Sequence, residues 1–454
     1  MTPNILVFFT DQQRWDTCGC YGQSLNVTPR LDELAGNGVL FENAYTCQPV
    51  CGPARAAIQT GVYPTDVGCH TNHRLLPLDA DTIAKRLGDS GYQCHYIGKW
   101  HLASTGPREG TDDFRVKAVP PERRGGFNGH WLAADALEFT SHGYGGHMFD
   151  AEGRKREFDE TTYRVDAQTD WLIEHLSTWQ SGQPNFTFVS YLEPHHQNDR
   201  NRYEGPLGSK ERWADYLVPG DLTDTEGDWR ENFADYLGCC NALDDALGRA
   251  IDHLSTSGLL DETLIIFTSD HGSHFRTRNP EYKRSCHDAC LHIPLVVSGP
   301  GFTGGQRIDH LATNLDLPGT ILRAAGLEVP DHFRGHALQD VVSGQSDRKA
   351  IYVQISESQC GRAIRTPDFT YSVRAEGGAK RGQEAAADRY HERHLYDNHA
   401  DPHQRQNLIA DPAFQTVRSA MKQLLLEEMA HAENITSEIL PPEESSPAVS
   451  GTSR

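Results

Sequence analysis

The sequence predicts an α/β protein: a mostly parallel sheet sandwiched by helices, followed by a small carboxyl-terminal α+β unit with an antiparallel sheet. Two observations point to the large sheet. Strand-like apolar runs alternate with helical stretches along most of the chain, the pattern of a parallel sheet covered on both faces. At 454 residues the chain exceeds a usual single domain, so one large domain plus a smaller one is expected. A third observation marks the junction. Around Ser343–Arg348 the composition turns polar, and Ala350-Ile351-Tyr352-Val353-Gln354-Ile355 then opens a second unit.

In chain order, strands are expected at Ile5–Thr10, Gln93–Ile97, Phe186–Leu192, Leu264–Ser269 and Pro294–Ser298, each a compact apolar run. Helices are expected at Pro29–Asn37, Pro53–Thr60, Asp81–Ser90, Thr161–Ser177, Trp229–Ser257 and Leu315–Ala325. The second of these has proline in its first turn, where a missing N–H costs little, and Gly61 as its stop. In Trp229–Ser257, Phe233, Leu237, Leu243, Leu247, Ile251 and Leu254 fall at helical spacing, which marks a packed helix. Pro107–Gly146 is rich in Gly, Pro and charge and reads as a long surface insertion over the substrate cleft. Residues 1–345 are assigned to a catalytic domain and 346–436 to the carboxyl-terminal unit, which closes on a helix near Pro412–Ala432. The tail 437–454 is low-complexity and is expected to be disordered. The chain shows no internal repeat.

Composition narrows the function. A hydrophobic content of 37% fits a globular enzyme, and no apolar run nears the length of a membrane span. The first strand follows Met1 almost at once, without a basic segment or cleavage site, so the chain as written is expected in the cytoplasm. The net charge of −21 disfavours nucleic acid and anionic membranes as partners, although a local cationic cluster can still take an anionic substrate. Eleven cysteines show no disulfide spacing and are expected as free thiols. Cys286-x-x-x-Cys290 with His287, and the pairs Cys18/Cys20 and Cys239/Cys240, leave structural zinc as an alternative.

Four polar clusters sit where expected strands end, the edge at which open parallel sheets bind ligands. They are Asp11-Gln12, Gly98-Lys99-Trp100-His101, Glu193-Pro194-His195-His196 and Ser269-Asp270-His271-Gly272. Each alone would be an ordinary turn or helix cap. Together they would face one crevice with Cys51, which lies at the mouth of the Pro53–Thr60 helix with Arg55 one turn on. A helix N-terminus offers unpaired N–H donors and positive potential, a place to hold an anion or activate a thiol.

Cys51-x-Pro53-x-Arg55, extended by Thr60-Gly61-x-Tyr63-Pro64, resembles the signature of the formylglycine-dependent (type I) sulfatase family of the alkaline phosphatase superfamily. Gly98-Lys99-Trp100-His101, Thr268-Ser269-Asp270-His271-Gly272, Pro194-His195, Tyr282-Lys283 and Leu395-Tyr396-Asp397 with Asn407-Leu408 are similar to further family elements. The resemblance thus runs from Asn4 to Leu408. It implies an alkaline-phosphatase-like fold and a Cys51 oxidised to Cα-formylglycine by a maturation enzyme. It also implies a divalent metal held by Asp11, Gln12, Asp270, His271 and the modified residue 51. Oxygen ligands favour calcium, with magnesium or manganese as alternatives. In the implied reaction one hydroxyl of the formylglycine hydrate attacks sulfur, and loss of the other's proton expels sulfate. Arg55 would hold the hydrate; Lys99, Lys283 and His195 would bind the sulfuryl oxygens; His195 would protonate the leaving oxygen; and His101 would assist elimination.

His70, Asn72, His73 and Arg74 follow the Cys51 helix and, with His196, Asn198, Arg276 and Arg278, are expected to line the cleft. That many polar and cationic groups suggest a polar, carboxylated leaving group, hence a sulfated carbohydrate, small or oligomeric. Three alternatives stand beside this reading. One is a phosphonate monoester or phosphodiester hydrolase, whose relatives share the Asp-Gln pair but not Lys99 and His101. A second is a non-catalytic binder of sulfated glycans, if Cys51 stays a thiol. A third is a cysteine hydrolase using Cys51 with a histidine.

Overall fold

The computed structural model describes residues 2–106 and 112–443. Ten strands form the large sheet: β1 (Asn4–Thr10), β2 (Val39–Tyr45), β3 (Gln93–Lys99), β4 (Trp131–Ala134), β5 (Tyr144–Asp150), β6 (Lys155–Tyr163), β7 (Asn185–Ser190), β8 (Thr263–Ser269), β9 (Leu295–Ser298) and β10 (Gln306–Thr313). Their order is β10-β2-β9-β8-β1-β7-β3-β4-β5-β6. The central run β8-β1-β7-β3-β4 is parallel throughout. Antiparallel pairs appear only toward the margins, at β8·β9, β2·β9, β4·β5 and β5·β6. Helices cover both faces, among them α1 (Pro29–Asn37), α2 (Cys51–Thr60), α3 (Ile83–Asp89), α4 (Arg164–Leu176) and the long helix Trp229–Thr256. The mostly parallel, helix-covered sheet expected from the alternating pattern is therefore present.

The physical reason lies in β1. All seven of its residues are buried, because both faces are covered. Ile5, Val7 and Phe9 join the core on one face, and Leu6 and Phe8 the core on the other. Because β8, β1, β7 and β3 are adjacent and parallel, their carboxyl ends share one edge. Thr10 lies opposite Ser269 in register, so Asp11 and Asp270 emerge side by side.

A second sheet follows: β11 (Ile351–Ile355), β12 (Gly361–Arg365), β13 (Phe369–Ala375) and β14 (Arg389–Asp397) are antiparallel neighbours. The helix Gln415–Glu433 packs Met421, Leu425 and Met429 into the core beneath them. The buried Arg362–Glu433 pair, at 2.7 Å, fixes its far end.

Four details differ from expectation. Pro107–Gly146 is not wholly a surface insertion. Residues 107–111 lie outside the described residues, but Trp131–Ala134 is a buried strand parallel to β3, and β5 begins at Tyr144. The helix expected from Thr161 starts at Arg164, because β-branched Thr161 and Thr162 and aromatic Tyr163 continue β6. Strand β2 lies outside the expected strands, because Glu42 and Asn43 interrupt its apolar run. In the tail expected to be disordered, Glu438–Leu440 forms β15 parallel to β14, with Ile439 buried in the carboxyl-terminal core; residues 444–454 lie outside the described residues.

One glycine sets the spacing at the functional edge. Gly98 in β3 has φ 109°, and a Cβ there would stand 1.9 Å from the Ser190 carbonyl of β7. Gly98→Ala is expected to lower stability by at least about 2 kcal/mol, measured by urea denaturation, because strain and overpacking add. It should also displace the adjacent Lys99.

Candidate active site

Helix α2 is buried along its whole length, which its small residues Gly52, Ala54, Ala56 and Ala57 permit. Val50 offers no side-chain cap, and Gly61 ends the helix in the left-handed conformation. Cys51 is its first residue. The Cys51 Sγ lies 3.3 Å from Asp11 Oδ1, 3.3 Å from His271 Nε2 and 2.7 Å from Lys283 Nζ. Burial, with the nearby Asp11 charge, pushes the thiol up to about 12. A protonated thiol is a poor nucleophile, which counts against the cysteine-hydrolase alternative.

Asp11, Cys51, Asp270 and His271 converge from three elements and offer ligand atoms within 4.8 Å of one another. The details suit a cation. His271 donates from Nδ1 to the Gly272 carbonyl at 2.9 Å, which leaves the Nε2 lone pair facing Cys51. Gln12, held in the left-handed region at φ 71°, donates through Nε2 to the Tyr203 hydroxyl at 2.7 Å. Its Oε1 is buried with no hydrogen-bond partner, as is Asp270 Oδ2. Burial, then repulsion from Asp11, drives the Asp270 carboxyl up. Two orphaned acceptor oxygens and two crowded carboxylates are what a bound hard cation would satisfy. The four clustered residues could therefore hold a divalent cation, and Gln12 adds a buried oxygen without a hydrogen-bond partner. Among the described residues no second cluster of this kind forms. Cys290 Sγ turns to Ser285 and the Tyr282 carbonyl while Cys286 turns to His394, so the structural-zinc alternative lacks a converging site.

Cations ring this cluster. Asp11 Oδ2 accepts from Arg55 at 3.0 Å, and the Lys99 ammonium pairs with it at 2.9 Å. Burial alone would raise the Asp11 carboxyl, but the charges of Lys99, Arg55 and Lys283 hold it well below the usual range. Arg55 also donates to the Lys99 carbonyl and the Ser190 hydroxyl, so its guanidinium grips Asp11 and the strand ends rather than residue 51 itself. Lys99 likewise bridges Asp11 and Glu138. Lys283 also reaches Cys51 and lies 3.3 Å from His195 Nε2. His195 donates from Nδ1 to the His196 carbonyl at 2.6 Å, and burial plus Lys283 keep it neutral. The buried Arg164–Glu193 pair, at 2.8 Å, anchors the His195 loop. His101 is fixed by Asp135, whose carbonyl accepts its N–H and whose carboxylate accepts those of Leu102 and Ala103.

A cleft of about 340 Å³ opens onto this centre. Cys51, His101, His195 and Lys283 line it, with Asn72, His73, His196, Asn198 and Arg276 from the expected substrate-binding set. Three expected residues point elsewhere. His70 bonds the Gln383 carbonyl, exposed Arg74 bonds Thr71, and Arg278 donates to the His403 carbonyl beside a separate cleft. The loop positions were legible; the directions of their side chains were not. Sequence reasoning missed Arg115, Glu138, Phe139, Arg284 and Glu357, which also line the cleft. None belongs to a strand-end cluster, and only adjacency to Lys283 could have flagged Arg284. Each rim arginine meets a carboxylate: Arg115 with Asp113, Arg276 with Asp228, and Arg284 with Glu281 and Glu357.

A sheet of this topology, with a ligand-type cluster and a cationic cleft at its carboxyl edge, defines the class: an ester hydrolase of alkaline-phosphatase-like architecture. The sulfatase family model matches residues 3–327, and that of the N-sulphoglucosamine sulphohydrolase carboxyl-terminal region matches residues 281–431. The chain belongs to the sulfatase family and is a sulfuric ester hydrolase. An ulvan-active sulfatase of Formosa agariphila is 28% identical over 94% of this chain and 81% of its own length. The crystal structure of a sulfatase candidate, yidJ from Bacteroides fragilis, superposes with a TM-score of 0.81 at 25% identity, covering 95% of this chain and 96% of that one. A protein solved with its substrate D-glucosamine-2-N,6-O-disulfate gives a TM-score of 0.75 at 23% identity over 96% and 99% of the two chains.

Proposed function

We propose that this sulfatase removes sulfate from a carbohydrate, using a formylglycine hydrate made from Cys51 and a divalent cation, calcium by preference. The observation that carries the proposal is the set of contacts at Cys51 Sγ: Asp11 and His271, both at 3.3 Å, and Lys283 at 2.7 Å. Asp11, Gln12, Asp270 and His271 would hold the cation, which when bound would neutralise charge on a sulfuryl oxygen. The modified residue would supply the nucleophilic hydroxyl.

The chain's own residues account for the rest. Arg55 and Lys99 hold the second oxygen of Asp11 and so fix its orientation. Lys283 and His195 face the cleft as a hydrogen-bonded pair. Because His195 Nε2 accepts from Lys283, the proton for the leaving oxygen rests on this pair rather than on His195 alone. His101, on the cleft wall, is neutral through burial and the charges of Lys99 and Arg55, and can accept a proton during elimination.

The carbohydrate reading draws on the relatives active on ulvan and on glucosamine disulfate. The rim refines it. Its arginines are neutralised by carboxylates, and the exposed ring of Phe139 offers an apolar face to a sugar, so a neutral sulfated sugar fits better than a carboxylated one. A panel of defined sugar sulfates, sulfated uronates, nitrophenyl sulfate and a phosphonate monoester tests this. Neutral sugar sulfates should lead in kcat/KM by about tenfold or more. Turnover of the aryl ester alone, or of the phosphonate alone, would defeat the proposal. Dialysis against a chelator should remove activity, and calcium should restore it.

A further inference from the structure

Ser356-Glu357-Ser358 directly follow β11 in the carboxyl-terminal sheet, yet all three bond to loops that surround Cys51. The Ser356 hydroxyl accepts from Gln48 Nε2 at 2.8 Å, in the loop just before Cys51. Glu357 Oε1 accepts from the Asn72 N–H at 2.6 Å. Asn72 Oδ1 in turn accepts from the Gly52 N–H at 2.9 Å, one of the donors that the uncapped α2 leaves open. The Glu357 carboxylate also pairs with Arg284, and the Ser358 hydroxyl donates to the Arg284 carbonyl at 2.7 Å. Arg284 follows Lys283, whose ammonium stands beside Cys51.

Two features show that the arrangement is imposed rather than incidental. Glu357 and Arg284 both sit in the left-handed region, at φ 66° and 69°, a conformation that non-glycine residues keep only where their surroundings hold them. From its own sheet, Glu357 is anchored by a backbone N–H to the Gly382 carbonyl at 2.7 Å.

We propose that Ser356–Ser358 is a strap by which the carboxyl-terminal unit fixes Cys51 relative to Lys283, with Glu357 as its positioning residue. This rests on the reading that residue 51 reacts. Through Asn72 the strap holds the mouth of α2, and through Arg284 it holds the lysine beside Cys51. Loss of Glu357 frees both at once. A misplacement of about 1 Å between reacting groups costs about a hundredfold in rate.

The test uses the full-length matured enzyme, with residue 51 conversion checked by intact mass in every variant. Glu357→Ala is expected to lower kcat by about 10- to 100-fold with KM changed less than about threefold. Glu357→Gln keeps an acceptor for Asn72 and should recover part of kcat. Ser358→Ala, which loosens only the Arg284 side, should give a smaller loss. Hydrogen exchange, which needs no substrate, should speed up in the peptides carrying Gly52 and Asn72 in Glu357→Ala while the helix Trp229–Thr256 is unchanged. Unchanged exchange at those peptides, or a loss confined to KM, would overturn the strap; the latter would make Glu357 a substrate contact. If the wild-type enzyme desulfated no sugar, the proposed substrate would fall, and the exchange measurement would still decide the strap.

Discussion

Replacing Cys51 with alanine is expected to reduce sulfate-ester turnover by about ten-thousandfold or more, since it removes the group from which the nucleophile is made. The fold should survive. One buried sulfur is lost, a change worth about 1 kcal/mol by the methylene scale. Lys283 loses its nearest partner but keeps the attraction of Asp11 and Asp270. Circular dichroism and a melt should therefore resemble the wild type while the rate falls to background. Intact mass supplies the companion measurement: conversion of the cysteine to formylglycine lowers the mass by about 18 Da, the signature of the activated residue. Full activity in the alanine variant would refute a reaction at residue 51. An unmodified wild-type chain that binds sulfated sugars without hydrolysis would establish the binder instead.

The parts of the site that could be read from sequence are those that local rules place. Asp11-Gln12 and Asp270-His271 each end an apolar run, and parallel pairing carries such ends to one edge whatever the loops do. The roles of Arg55 and Lys99 were less accessible. Both were expected at the reacting centre, yet their charges are absorbed by Asp11, a partner far away in sequence. The same holds for Glu357 and Arg284, joined only when the second sheet docks on the first. Strand β6 escaped notice for a different reason. It alternates polar residues at an exposed margin and lacks the continuous apolar run that marked the central strands. His70, Arg74 and Arg278 show the converse error: a polar loop beside a cleft is readable, but which of its side chains turn inward is set by contacts such as Gln383 and His403.

The second large effect is expected from Asp11→Asn, a change of charge with almost none of shape. The wild-type carboxylate is fully buried; one oxygen accepts a hydrogen bond from Arg55 and pairs with the Lys99 ammonium while the other faces Cys51. Asparagine leaves Arg55, Lys99 and Lys283 with one anion fewer among them. Removing one partner from a buried ion pair costs about 3–5 kcal/mol, because the remaining charges stay desolvated. Urea denaturation in the presence of chelator should show this loss, and activity should fall at least about a hundredfold as a charged ligand disappears. The double variant Asp11→Asn, Lys99→Met separates charge from shape. If excess positive charge is the cause, removing one cation should recover part of the stability, giving a coupling well above the few tenths of a kcal/mol found between independent sites. Activity should not return, since the ligand is still missing. Additive losses in the double variant would show that Asp11 and Lys99 act independently, and full activity of Asp11→Asn at saturating calcium would remove Asp11 from the ligand set.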